Sequence, residues 1–343
     1  MRENYDSAEM SITILKLGRA GKYTAIVFLF IALMSGCKEL RDKRFLKLAH
    51  TLPPDHPVHE AMVFMAKRCS ELSKGKMEIE IYPSEQLGSE QQCVELLQIG
   101  SLAITKVSAA VMESFTEDYK VLGLPYIFRD SAHAVNVLDG EIGRELLLST
   151  ENRYIRGLCF YDAGSRSFYT IDKPILNPSD LEGMKIRVMK SKTAMDMVKA
   201  LGGSPTPISY GELYTALQSG VVDGAENNPP SFYTSHHYEV CKHYALDEHT
   251  AVPDVLIISQ HIWNKLSEQE KSWIQQAATE SVAVERKLWS ESVKKSLAEV
   301  QKAGVTIYYP DKTLFAEKVD EVYDSYKDQE RLYSFIKRIQ ATQ

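Results

Sequence analysis

Arg187 is the residue whose setting most demands a chemical explanation. It lies in Leu181–Lys190 (LEGMKIRVMK), where Met184 to Met189 alternates apolar and basic residues in the manner of a strand. Gly183 precedes this strand and a helical pattern follows it, so it belongs inside an α/β layer covered on both faces. A guanidinium there needs an anion, because breaking a buried ion pair costs about 3–5 kcal/mol. The anion is either an internal carboxylate, such as Glu226 or Glu90, or the carboxylate of a ligand, whose planar geometry matches the guanidinium fork. The sequence leaves both readings open.

Other polar residues fall near strand ends. Lys106 interrupts the apolar run LAITKVSAAV, and Asn227 and Asn228 follow VVDGAE. Ligands of open α/β sheets bind beyond the carboxyl ends of the strands, which is where such groups would face. Lys106 also has surface partners to hand in Glu113 and Asp118. Enzyme signatures are missing: there is no G-x-S-x-G elbow, no G-x-x-x-x-G-K-[ST] loop, and no G-x-G-x-x-G opening a helix. His236 and His237 near Glu239 come nearest to a metal cluster, but adjacent residues of an extended segment point different ways. No metal and no cofactor is expected.

These groups must be positioned by alternating strands and helices. FLKLAH, KMEIEIYP and SLAITKVSA have strand patterns, separated by a helix that Asp55-His56-Pro57 opens and by one capped by Ser89 and Gln92. A second series begins near Arg156: strands at RGLCFYDAG, MKIRVM and GVVDGAENN, and helices at 192–201 and 210–219, the latter capped by Ser209 and Glu212. DVLIIS (254–259) is a further buried strand. From Ser267 to Ala303 there is no Gly or Pro and an apolar stripe recurs at helical spacing, which predicts a strut spanning two lobes. This order implies mostly parallel sheets with right-handed crossovers. A net charge of −6, with no basic run, argues against nucleic acid as a partner.

The first residues differ. Arg19 and Lys22 precede the apolar run Thr24–Met34, which ends in Ser35-Gly36-Cys37. The run falls short of the roughly 20 residues that span a bilayer and fits the core of an export signal. LMSGC resembles a bacterial lipobox, so residues 1–36 are expected to be a signal peptide, Cys37 a lipidated residue, and 37–44 a linker. Met1 and Met10 both stand as possible starts. Cys69, Cys93, Cys159 and Cys241 remain; their scatter over apparent helices and strands favours small core residues, although an even count permits disulfides.

Several segments together resemble one family. GKMEIEIYPSEQLGSEQQCVELLQIGSL, LPYIFRD, DLEGMKIRVMKSKTAMDMVKALGGSPTPISYGELYTALQSGVVDGAENNPPSFY and WNKLSEQEK are similar to the DctP-like extracytoplasmic solute receptors of TRAP transporters. The resemblance implies an α/β, two-lobed periplasmic binding protein fold (type II-like) with hinge strands and a long lobe-spanning helix. It puts lobe I at 45–163 plus about 253–285, and lobe II at 164–252 plus about 286–343. It implies a receptor rather than an enzyme, closing on an organic acid and delivering it to the membrane subunits of the transporter from the periplasm, with the lipid on Cys37 as anchor. Arg187 then takes the ligand carboxylate. Arg166 in DAGSRSFY, Asn227 and the wall residue Tyr210 match family positions, and His50 and Glu90 fall at others. Glu90 opens a helix, where an acid also serves the helix dipole, and His50 beside an apolar strand could equally be a core group. Ser108, where sialic acid receptors carry Glu, argues against sialic acid. The segments DHP, TKVSAA, SRSFYT, DGAENNPPSFYTSHHYEV and LDEHTAVPDVLIIS resemble the branch that binds hexuronates such as glucuronate and galacturonate. In that reading His50, Glu90, Lys106, Asn227 and Asn228 meet the sugar hydroxyls.

Overall fold

Alternating and apolar runs pair into two sheets in the computed structural model, which describes residues 43–343. The signal (1–36), Cys37 and most of the 37–44 linker lie outside the described residues. Sheet A has the order β2-β1-β3-β10-β4 and sheet B the order β11-β9-β5-β8-β6-β7. The strands are β1 Arg44–Ala49, β2 Met77–Tyr82, β3 Ile104–Ser108, β4 Ile155–Tyr161, β5 Arg166–Thr170, β6 Lys185–Val188, β7 Ser204–Pro207, β8 Gly224–Asn227, β9 His243–Thr250, β10 Asp254–Ser259 and β11 Thr306–Tyr308.

The chain changes sheet directly between β4 and β5 and between β9 and β10, and it returns to sheet B for β11 only through the long helix Glu268–Lys302. The strands on the far side of these crossings, β5 in sheet B and β10 in sheet A, run antiparallel to both neighbours. The pairs β1–β3, β6–β8, β6–β7 and β9–β11 are parallel, as expected. β7 has the sequence SPTP and was not foreseen. It holds the edge of sheet B, where the missing proline N–H groups cost no ladder bond.

Helices pack against both sheets: α1 Pro57–Leu72, α2 Glu90–Gln98, α3 Lys192–Ala200, α4 Leu213–Gln218, α5 Pro229–Thr234 and α6 Glu268–Lys302. The capping box of Ser89 and Gln92 forms as predicted, and Ser267 with Glu270 makes another at the start of α6. That helix runs for 35 residues and ends before Gly304, whose φ of +87° suits glycine. Its Ile274, Ala277 and Ala278 share a core with Leu48 and Ile258 of sheet A and Met62 and Met65 of α1, and its Val300 shares one with Tyr244 of sheet B, Leu217 of α4 and Phe232 of α5. The helix predicted at 210–219 begins later, at Leu213, with Glu212 as its N-cap and no side-chain cap bond. Ser209 instead bonds the Glu212 carboxylate, and Tyr210 is left free to face the gap between the sheets. Cys69, Cys93, Cys159 and Cys241 are free and buried, as core residues would be.

Candidate functional site

Strand β6 lies inside sheet B, with Arg187 in register with Thr206 of β7 and Ala225 of β8. Arg187 is only 1% exposed. Its Nε donates to the Ile208 carbonyl at 2.9 Å, while Nη1 is buried with no hydrogen-bond partner among the described residues. Burial lowers its pKa from the usual arginine value, and the Arg166 charge acts in the same direction. The protein offers an oriented guanidinium whose fork is not closed by any protein carboxylate among the described residues.

Both carboxylates weighed as internal partners of Arg187 are committed elsewhere. Glu226 belongs to Arg166: Oε2 accepts from Nε at 2.5 Å, Oε1 from Nη2 at 3.0 Å, and the Glu226 carbonyl from Nη2 at 2.8 Å. The Arg166 Nη1 donates to Asn227 Oδ1 at 2.7 Å, which also accepts the Asn228 N–H at 2.9 Å. Burial alone would raise the Glu226 pKa, but Arg166 and His249 hold it at about 2. Glu90 belongs to Lys106, with Oε1 at 3.1 Å from Nζ and Oε2 accepting the Ser108 N–H at 3.3 Å.

Lys106 has a second carboxylate at 3.1 Å, that of Asp254. Asp254 stands opposite Ser108 and Leu256 opposite Lys106, so Asp254 and Lys106 are diagonal neighbours on one face of sheet A. Burial works against the lysine charge, yet Asp254 and Glu90 together raise its pKa above the usual value. The surface partners considered for Lys106 are engaged elsewhere: Glu113 bonds Ser191 and Thr193, and Asp118 bonds Arg331.

These groups line one cavity of about 770 Å³, counted to its open mouth. Arg187, Arg166, Asn227, Asn228 and Tyr210 come from the sheet B side, and Glu90, Lys106 and Asp254 from the sheet A side. Tyr210 presents its ring to the cavity and holds Ser235 through its hydroxyl at 2.5 Å. Asn228 caps α5, its Oδ1 accepting the Ser231 N–H at 2.9 Å.

His50 is a correction: it is buried but is not part of the cavity lining. Its Nδ1 accepts the Leu52 N–H at 3.2 Å and its Nε2 lies 3.0 Å from His59 Nδ1, so both ring nitrogens serve the fold. Burial, then the Lys106 charge, pushes its pKa to about 2 and keeps it neutral. His56 lines the cavity instead. Its Nδ1 accepts the Val58 N–H at 3.3 Å as the cap of α1, which leaves Nε2 to meet Ser231 Oγ at 3.2 Å. His56 was read only as part of a helix start, and Asp254 only as the first residue of an apolar strand; strand register was the signal that could have tied Asp254 to Lys106.

The arrangement can bind an anion. Among the described residues no group of His, Cys, Asp and Glu could hold a metal. The acids at the wall are tied to Lys106, and among the described residues the one buried cation without a carboxylate partner is Arg187. The cavity is therefore polarised: a cationic pole at Arg187 faces an acid-rich pole at Glu90 and Asp254.

The family model for the bacterial extracellular solute-binding proteins, family 7 (DctP), matches residues 48–329. The chain is 38% identical over 297 residues to YiiZ of Salmonella typhimurium, an uncharacterised protein, covering 86% of this chain and 90% of that one. A TRAP periplasmic solute-binding protein of Bradyrhizobium sp. BTAi1, solved in complex with α/β-D-galacturonate, superposes with a TM-score of 0.85 at 41% identity, covering 87% of this chain and 100% of that one. One from Anaerococcus prevotii, solved with bound α/β-D-glucuronate, gives 0.85 at 36% identity, covering 87% and 97%. With the two sheets, the crossing strands and the cavity between them accounted for, the chain belongs to the DctP family of extracellular solute-binding proteins, the receptors of TRAP transporters.

Proposed function

We propose that the protein captures a hexuronate, D-glucuronate or D-galacturonate, in this cavity and delivers it to the membrane subunits of a TRAP transporter, with no bond made or broken. The observation that carries the reading is the buried, unpartnered Nη1 of Arg187 on the cavity wall. A single carboxylate completes its fork, while the sugar hydroxyls donate to Glu90 and Asp254 at the opposite pole and meet Lys106, Asn227 and Tyr210 along the walls. A second carboxylate would face those two acids, which disfavours C4-dicarboxylates. The galacturonate and glucuronate held by the similar structures support the same ligand class.

In this reading the lobes are 45–163 with about 253–285, and 164–252 with about 286–343, hinged where the chain changes sheet. Ligand contacts made from both lobes favour the closed form. The receptor faces the periplasm, held by lipid on Cys37; Cys37→Ala is expected to move the protein from the membrane fraction to the soluble periplasmic fraction, and retention at the membrane would refute the anchor.

A melting-temperature screen against hexuronates, aldonates, keto-acids, sialic acid and succinate tests the ligand. A ligand at a hundred times its Kd stabilises by about 2.7 kcal/mol, which for a chain of this size is a rise of roughly 4 °C. The expected result is that rise with glucuronate or galacturonate, no change with succinate, and recovery of the sugar acid unaltered. A rise with an aldonate or keto-acid alone would overturn the hexuronate reading, and a new product would overturn the receptor role.

A further inference from the structure

The loop between β2 and α2 holds two consecutive non-glycine residues in the left-handed region, Ser84 at φ 54° and Glu85 at φ 59°. L side chains disfavour that conformation, so something in the fold must hold it. Ser84 N–H donates to the Leu52 carbonyl at 3.0 Å and Glu85 N–H to the His50 carbonyl at 3.2 Å. The strained turn is thus fixed to the segment whose Thr51 and Leu52 line the cavity. It aims the Glu85 carboxylate across the mouth toward the sheet B side, where Oε1 accepts the Gly211 N–H at 2.9 Å. Gly211 follows the wall residue Tyr210, and a Cβ added to it would collide with the Glu85 carboxylate. Two other bonds span the same gap: His56 to Ser231 at 3.2 Å, and Lys190 to Gln91 at 3.4 Å. Among these three, only Glu85 sets a carboxylate on a backbone N–H, the strongest type of acceptor.

We propose that Glu85 is a closure latch: its bond to the Gly211 N–H forms as the two sheets close over a captured acid and sets how long the acid is held. Glu85 is not part of the cavity lining, so it acts on release and leaves recognition to Arg187 and its neighbours. It is a positioning residue, and its role rests on the reading of the cavity as a capture site. The glycine at 211 fits this role, since a Cβ there would force the Glu85 carboxylate to shift from its place on the backbone N–H.

The test is stopped-flow fluorescence of purified protein with D-glucuronate and D-galacturonate, beside the melting temperature without ligand. Loss of a hydrogen bond to a charged group predicts that Glu85→Ala raises the dissociation rate about tenfold. The association rate, the preference between the two acids and the ligand-free melting temperature should stay as in wild type. Glu85→Gln, whose amide oxygen still accepts, should recover most of the residence time. Gly211→Ala should speed release like Glu85→Ala, and the double variant should be no worse than either single one. An unchanged dissociation rate in Glu85→Ala, or a lowered ligand-free melting temperature without faster release, would overturn the latch. If wild type takes up neither acid, the hexuronate reading falls, and the same dissociation measurement with whichever acid of the melting-temperature screen does bind judges the latch: faster release from Glu85→Ala supports it and an unchanged rate refutes it.

Discussion

Arg187→Ala is expected to abolish detectable hexuronate binding while leaving the ligand-free protein as stable as wild type or slightly more so. The two effects have opposite signs for one reason. In the closed arrangement the guanidinium is buried with Nη1 unpaired among the described residues and only the Ile208 carbonyl as partner, so closing over an empty cavity carries a desolvation cost that its removal relieves. In the complex a ligand carboxylate repays that cost through charge-assisted bonds, and truncating one partner of such a buried pair costs about 2–5 kcal/mol, roughly a 30-fold or greater loss of affinity. Arg187→Lys keeps the charge but not the planar fork, and is expected to bind measurably but weakly. Calorimetry for the affinity and thermal melting without ligand read the two effects separately. Near wild-type affinity in Arg187→Ala would remove the clamp; a large drop in ligand-free melting temperature would mean that the arginine is structural.

What was legible in the sequence follows from how far apart the interacting residues lie. The Ser89–Gln92 cap, the 35-residue helix and the strand carrying Arg187 depend on neighbours a few positions away, and local pattern predicted them. The burial of Arg187 was legible for the same reason. The pairings were not. Glu226 and Glu90 were recognised as candidate anions, but which cation each meets depends on strand order and register: β8 lies between β5 and β6 in sheet B, so Glu226 could have faced either arginine. Asp254 meets Lys106 only because β10 returns from sheet B and pairs antiparallel with β3. His50 was misplaced because a polar residue at a strand end can face the cavity or the adjoining helix, and here the ring turns to His59 and the Leu52 N–H.

Arg166→Ala is expected to cost about 3–5 kcal/mol of stability, because it leaves Glu226 buried without its main partner, a fall of roughly 5–8 °C in melting temperature for a chain of this size. Replacing both residues by apolar ones, Arg166→Met with Glu226→Leu, is expected to recover much of that loss, since the pair is bound by mutual need rather than by net gain. The penalty should depend on pH, and the network has a third titrating member. His249 is fully buried, with Nδ1 2.6 Å from Asp247 Oδ2 and Nε2 3.6 Å from Glu226 Oε2, an ion-pair distance without a hydrogen bond. Burial opposes its charge, but Asp247 and Glu226 raise its pKa from the ordinary 6.5 to about 9. A raised pKa contributes stability that is complete below 6.5 and is lost as pH rises through about 9. Glu226, lowered from 4.5 to about 2, contributes stability that is present above 4.5 and lost as pH falls toward 2. The network is therefore strongest between about 4.5 and 6.5, while the gap in melting temperature between wild type and Arg166→Ala, which reads the Arg166–Glu226 pairing, should be full above about 4.5 and narrow toward pH 3. A gap that stays constant from pH 3 to 9 would show that Arg166 stabilises by packing alone, and the role of Glu226 in holding Arg166 and Asn227 in place at the cavity wall would fall with it.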